Sequence, residues 1–171
     1  SIPAKPSKVA AMWEPFFKGS GKGLVGYTGG CGMHVHVTRK ALSESTIRKL
    51  SVFLNSPQNL RLIELASCRH LNRYCKQNPF ITIDARESLF ASDRYTILNT
   101  TRQDTIEFRS FKSTMKFDQF KRNLEFVTAS IDFCGLTSSD SLLYTDFIKH
   151  VNSSNAYPIL KKSIQRWYRN N

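Results

Sequence analysis

The chain has 171 residues, 40% of them hydrophobic and 12% aromatic, with twelve Phe and a formal net charge of +12. That is about one domain with enough apolar side chain to bury a core of its own, which excludes a disordered tail. No apolar run approaches the roughly 18 residues that span a bilayer, and Ser1-Ile2-Pro3-Ala4-Lys5-Pro6 is no signal peptide, so a cytoplasmic chain without a membrane partner is expected.

Residues 1–29 are the least regular stretch, with a short helical piece over Lys8–Phe17 and a Gly/Lys loop at Lys18-Gly19-Ser20-Gly21-Lys22-Gly23. The loop lacks the Walker pattern of a phosphate-binding loop. Residues 30–171 read as one α+β domain. A strand is expected over Gly32–Thr38, with Met33, Val35 and Val37 on one side and His34 and His36 on the other. Ser43 can cap a helix whose apolar positions are Ile47, Leu50, Phe53 and Leu54. Ser56 and Pro57 open a second helix buried through Leu60, Ile63 and Leu65. A short extended piece at Phe80–Ile83 follows. A hairpin then pairs Tyr95–Asn99 with Asp104–Phe111 around a polar turn at Thr100–Gln103. Phe120, Leu124, Val127 and Ile131 mark an amphipathic helix ended by Gly135, and two more helices are expected over Asp140–Val151 (Leu143, Phe147, Val151) and Pro158–Tyr168. Paired strands with grouped helices predict an antiparallel sheet covered by helices on one face.

The four cysteines, Cys31, Cys68, Cys75 and Cys134, form neither a CxxC pair nor a dense framework, which fits reduced thiols. Cys68, His70 and Cys75 have no fourth partner at zinc-ligand spacing. The two best strands carry the chemistry. His34 and His36, two residues apart, point the same way about 6.6 Å apart. On the later strand Ile106 and Phe108 face the core while Glu107 and Arg109 project from the other side. If the strands share a sheet, two imidazoles, a carboxylate and a guanidinium converge on one solvent-facing surface, where Glu107→Gln would leave stability nearly unchanged. Alternation of apolar and polar residues also arises on a sheet with one wet face and no function, so spacing alone does not decide the matter.

Gly30-Cys31-Gly32-Met33-His34-Val35-His36-Val37 resembles the glutamine synthetase signature in which a glycine-rich turn enters a G-x-G-M-H-x-H strand. Arg94-Tyr95 to Asn99, followed by Thr105-Ile106-Glu107-Phe108-Arg109, resembles that superfamily's later arginine-containing strand, and the continuation Phe111-Lys112-Ser113-Thr114-Met115 is most similar to its amidoligase branch, found in phage and bacterial genomes. The likeness covers about residues 29–134. It implies the C-terminal part of a glutamine-synthetase-like catalytic fold: an ATP-dependent carboxylate–amine ligase that forms an amide or isopeptide bond through an acyl-phosphate, with ATP and Mg²⁺ or Mn²⁺ as cofactors. It further implies that His34 and Glu107 ligate the metal, that His36, Arg94 and Arg102 contact the nucleotide phosphates, and that Arg109 holds the transferred phosphoryl group or a substrate carboxylate. The partners would be a carboxylate and an amine, peptide or small molecule.

The sequence also departs from the family. Thr105 stands where the R-x-E-x-R-like element has its first arginine, and the Glu-x-Glu strand that precedes the histidine strand has no counterpart, since only Glu14 comes before His34. The resemblance therefore implies that the missing N-terminal half lies upstream of Ser1 in a longer protein, or comes from another chain, such as a second copy, or that the chain is a degenerate relative that binds without catalysing. The competing reading is a non-catalytic basic module on nucleic acid. The field of a +12 chain attracts polyanions, and Arg73-Tyr74, Arg94-Tyr95 and Arg166-Trp167-Tyr168 place aromatic rings beside basic groups.

Overall fold

The computed structural model describes residues 6–19, 31–91, 93–138 and 142–169. The architecture is α+β: a three-stranded antiparallel sheet in the order β1-β3-β2, where β1 is Gly32–Thr38, β2 is Leu98–Asn99 and β3 is Thr105–Lys112. Around it lie α1 (Pro6–Gly19), α2 (Glu44–Asn55), α3 (Leu60–Ser67), the single turn α4 (Arg86–Leu89), α5 (Phe117–Leu136), α6 (Tyr144–Ser153) and α7 (Pro158–Arg169). Among the described residues no helix is long and apolar enough to cross a membrane.

Local chemistry sets most of these elements. Ser43 caps α2 as its hydroxyl accepts the Thr46 N–H at 3.1 Å, and Ile47, Leu50, Phe53 and Leu54 fall on the buried stripe. Glu125, buried within α5, accepts the first free N–H groups of α7 from Ile159 and Leu160 at 2.9 and 2.7 Å, so one helix caps another. Buried Asn59 gives its amide N–H groups to the carbonyls of Phe53 and Leu142 and accepts the Tyr144 N–H, which ties α2 to the start of α6.

The core is built on phenylalanine. Phe53 (α2), Phe133 (α5) and Phe147 (α6) stand 5.3 to 5.7 Å apart, Phe126 lies 5.7 Å from Phe147, and Phe111 of β3 joins them through Phe126 at 6.0 Å. Edge-to-face contacts at such distances add to the burial of each ring. The apolar face of the sheet (Ile106, Phe108 and Phe111) is sealed against α2, α3 and α5, which leaves the opposite face for polar chemistry. Helix α1 packs separately on the start of α5, with Phe17 5.3 and 5.0 Å from Phe117 and Phe120 and Trp13 6.2 Å from Phe120.

Several expectations need correction. Phe80–Ile83 is no strand but a run of turns, and Phe80 is 87% exposed. The first strand of the expected hairpin shrinks to Leu98–Asn99, because the Tyr95 carbonyl and the Ile97 N–H bond to Lys76, and only the Ile97 carbonyl still meets β3, accepting the Arg109 N–H. After Pro57 the chain first makes a 3-10 turn, so the helix begins at Leu60 and buries Leu62, Ile63 and Ala66, leaving Leu60 and Leu65 half-exposed. Gly135 lies inside α5, which runs on to Leu136. Helix α6 starts at Tyr144, with exposed Leu143 as its N-cap and Leu142 taking the buried place. Helix α1 is longer than expected and includes Lys18 and Gly19; Ser20 to Gly23, the rest of the expected loop, lie outside the described residues.

Truncating Phe108 to Ala, at 1% exposure the centre of the sheet's apolar face, is expected to cost about 3–5 kcal/mol in urea-induced unfolding.

Candidate functional site

Strand β1 alternates as its sequence requires, with Met33, Val35 and Val37 half-buried and His34 and His36 facing out. Its register with β3 pairs His36 with Glu107 and Val35 with Phe108. The register then shifts: Met33 pairs with Phe111, so two steps on β1 are matched by three on β3. An extra residue at Arg109–Ser110 is a β-bulge, and it returns Phe111 to the core although it is an odd number of positions from Phe108. Gly32 belongs to the same tight arrangement. A Cβ there would stand 3.0 Å from an Arg69 Nη and 3.3 Å from the Phe111 carbonyl oxygen.

Glu107 is the hub of the polar face. One carboxylate oxygen lies 2.6 Å from His34 Nδ1, 2.8 Å from Arg109 Nη1 and 3.8 Å from His36 Nε2, and the other accepts the Asn99 side-chain N–H at 2.8 Å. The four side chains expected to converge do so. The surface is not simply wet, however. Glu107 is only 6% exposed, because the central strand is covered on this face by the residues that bond to it.

Charge follows from that packing. Burial pushes the Glu107 carboxyl up, but the hydrogen bonds from Asn99 and Arg109, together with the positive charge of Arg109 and, once it is protonated in acid, of His34, outweigh it and leave the group below its ordinary value. His34 is also held low, first by burial and then by the Arg109 charge, against the pull of Glu107. At neutral pH His34 is therefore an uncharged ring that donates Nδ1–H to Glu107, and its Nε2 carries the lone pair.

Beside the hub is a cavity of about 460 Å³ lined by His36, Arg94, Tyr95, Asn99, Thr101, Arg102, Glu107 and Arg109. Five of the six residues singled out from the sequence line it; the sixth, His34, contacts Glu107 without lining it. Tyr95, Asn99 and Thr101 were not anticipated. Asn99 orders the turn as well as Glu107, since its side-chain oxygen accepts the N–H and hydroxyl of Thr101 at 3.0 and 2.8 Å. Arg39 supports the turn from below. Its guanidinium donates to the carbonyl oxygens of Leu89, Thr100 and Arg102 at 3.1, 2.7 and 3.2 Å and lies 4.6 Å over the Phe90 ring. No sequence motif marks Arg39, whose role depends on contacts 50 or more positions away.

Other candidate ligands go elsewhere. The exposed Cys68 thiol receives a hydrogen bond from Arg122 at 2.9 Å, His70 bonds to Glu64 at 2.9 Å, and Cys75 is buried, its thiol pushed up to about 11 by burial. Glu14 lies on α1 and pairs with Lys18. Among the described residues no three His, Cys, Asp or Glu side chains group as ligands of one ion. Comparison with protein-family models, curated proteins and solved structures finds no match for this chain.

The burial of Glu107 replaces the expectation that its exchange leaves stability nearly unchanged. Glu107→Gln removes the charge that Arg109, Asn99 and His34 answer and is expected to cost about 1–3 kcal/mol in denaturant unfolding. The same carboxylate gives stability a pH dependence. Its pKa in the folded chain lies below the ordinary 4.5, so its contribution is fully present above that value and is lost as pH falls through the folded value. Unfolding followed between pH 7 and 3 is expected to show a steeper acid loss for the native chain than for Glu107→Gln.

Proposed function

We propose that the chain carries the anion-binding side of an ATP-dependent carboxylate–amine ligase site of the glutamine-synthetase-like, amidoligase kind, forming an amide or isopeptide bond through an acyl-phosphate. The supporting observation is that His34, His36, Glu107 and Arg109, from two neighbouring strands, meet beside a cavity that Arg94 and Arg102 also line. Three guanidiniums face one buried carboxylate, whose charge is already answered by its own neighbours. The remaining positive charge suits phosphate or carboxylate oxygens.

Phosphoryl transfer asks little covalent chemistry of a protein. It depends on positioning and on countering spread negative charge. Arg109 is suited to the first task. It is fixed by Glu107 on one nitrogen, its side chain is 14% exposed, and its Nε is buried without a hydrogen-bond partner among the described residues. Arg102 and Arg94 reach the cavity from the turn and from the loop before β2, and His36 reaches it from β1, so an anion held there is met from several sides. Glu107 then acts through Arg109 and His34 and orients both.

The Mg²⁺ or Mn²⁺ of such a reaction takes an oxygen-rich, near-octahedral shell. Both oxygens of Glu107 are occupied by protein donors, and among the described residues no second carboxylate lines the cavity. The residues present do not make that shell by themselves, so anion binding is the task assigned to this chain, and no metal-dependent step is assigned to it.

Isothermal titration of the chain with Mg-ATP tests the proposal. Binding is expected, and Arg102→Ala, an exposed side chain whose loss leaves the fold intact, is expected to weaken it about tenfold. Absence of binding by the native chain at millimolar nucleotide would remove the ligase reading.

A further inference from the structure

Two Arg-Tyr dipeptides far apart in the sequence lie side by side in the structure. The rings of Tyr74 and Tyr95 meet edge to face with centroids 6.0 Å apart. Arg73 sits 4.8 Å over Tyr74 and donates to its hydroxyl at 2.8 Å; Arg94 sits 4.8 Å over Tyr95 and donates to its hydroxyl at 2.7 Å. Arg109 continues the row, 6.0 Å from the Tyr95 ring on the side of the cavity. The backbone holds this arrangement. Asn72 and Cys75 close a tight turn, Asn72 accepts the Tyr74 N–H at 3.0 Å, Lys76 N–H bonds to the Tyr95 carbonyl at 3.0 Å, and Ile97 N–H bonds to the Lys76 carbonyl at 2.9 Å. Lys76 is also paired with Asp93 at 2.9 Å. Such a row is poorly explained by core packing, since Tyr74 is 52% exposed and both Arg73 and Arg94 lie at the surface.

We propose that this arginine–tyrosine strip is a binding surface for single-stranded nucleic acid. Bases stack on aromatic rings and on guanidinium planes whatever their sequence, and arginines interleaved with the rings meet the intervening phosphates. The strip presents two touching rings, each with a guanidinium over it, in a fixed geometry, and it shares Arg94, Tyr95 and Arg109 with the cationic cavity, where Arg102 can take a further phosphate. A chain of net charge +12 supplies the long-range attraction a polyanion requires. The surface needs neither nucleotide triphosphate nor metal, so it stands or falls separately from the ligase reading.

Anisotropy of a labelled oligothymidylate of about ten nucleotides, measured across a salt series, tests it. The oligonucleotide is expected to bind far more tightly than thymidine monophosphate, with an affinity that falls steeply with salt. Tyr74→Ala should weaken binding about tenfold, Tyr74→Phe should restore it because the ring is kept, and Arg73→Ala should lower the salt slope by about 0.7, the value for one phosphate on a single strand. Neither Tyr74 nor Arg73 lines the cavity, so both variants should titrate with Mg-ATP like the native chain. Equal binding of oligonucleotide and monophosphate, unchanged affinity in Tyr74→Ala, or equal displacement by polyglutamate would overturn the proposal.

Discussion

A carboxylate with almost no access to water organises the polar half of this protein. Glu107 lies on the middle strand and is answered by a donor from each side, His34 from β1 and Asn99 from β2, and by Arg109 two residues along its own strand. A buried charge without partners would be severely unfavourable, so these contacts act as a register lock. Sliding either outer strand by one position would turn its donor to the wrong face and leave the carboxylate unanswered. The same hydrogen bonds fix Arg109 and select the tautomer of His34, and in this way a structural requirement also prepares two groups for chemistry.

The lock works only because the other face of the sheet is held equally firmly. Phe108 and Phe111 press into a layer of α2, α5 and α6 whose contacts are largely ring against ring. The bulge at Arg109–Ser110 reconciles the two faces. It lets Arg109 stay on the polar side and Phe111 return to the apolar side within three residues, which strict alternation forbids. Helix α7 is held differently, through the buried carboxylate of Glu125 at its N-terminus. Two buried glutamates thus do comparable work in different elements, one with side-chain donors and one with backbone donors.

Much of the site could be read from period-two patterning. His34, His36, Glu107 and Arg109 each sit at a position where alternation with Val35, Val37, Ile106 and Phe108 dictates the face, and strand pairing needed only proximity. Arg94 and Arg102 also reach the cavity. What escaped was whatever depends on loops or on long-range backbone contact. Asn99 reads as the end of a strand, but its side chain bridges the turn and the hub. The backbone before it reads as a full hairpin strand because its residues are β-formers; its partner, Lys76, lies in a loop without a pattern. Sequence alternation gives the direction of the Glu107 side chain and not its coverage, so its burial is not legible there. Phe80–Ile83 is apolar enough for a strand, but among the described residues no strand pairs with it, and it settles as turns.

The way Arg39 supports the turn at Thr100–Arg102 has a consequence for how such a cavity can diversify. At Arg102 its guanidinium reads only the main-chain oxygen, which every amino acid carries, so the turn there is insensitive to the side chain displayed, whereas Thr101 also holds the turn through its hydroxyl on Asn99. Arg102 can be exchanged without dismantling the frame that presents it. The scaffold and the ligand preference are thereby decoupled at that position: a lineage could retune what the cavity accepts by drift at residue 102, while Arg39, which does not line the cavity, stays under architectural constraint.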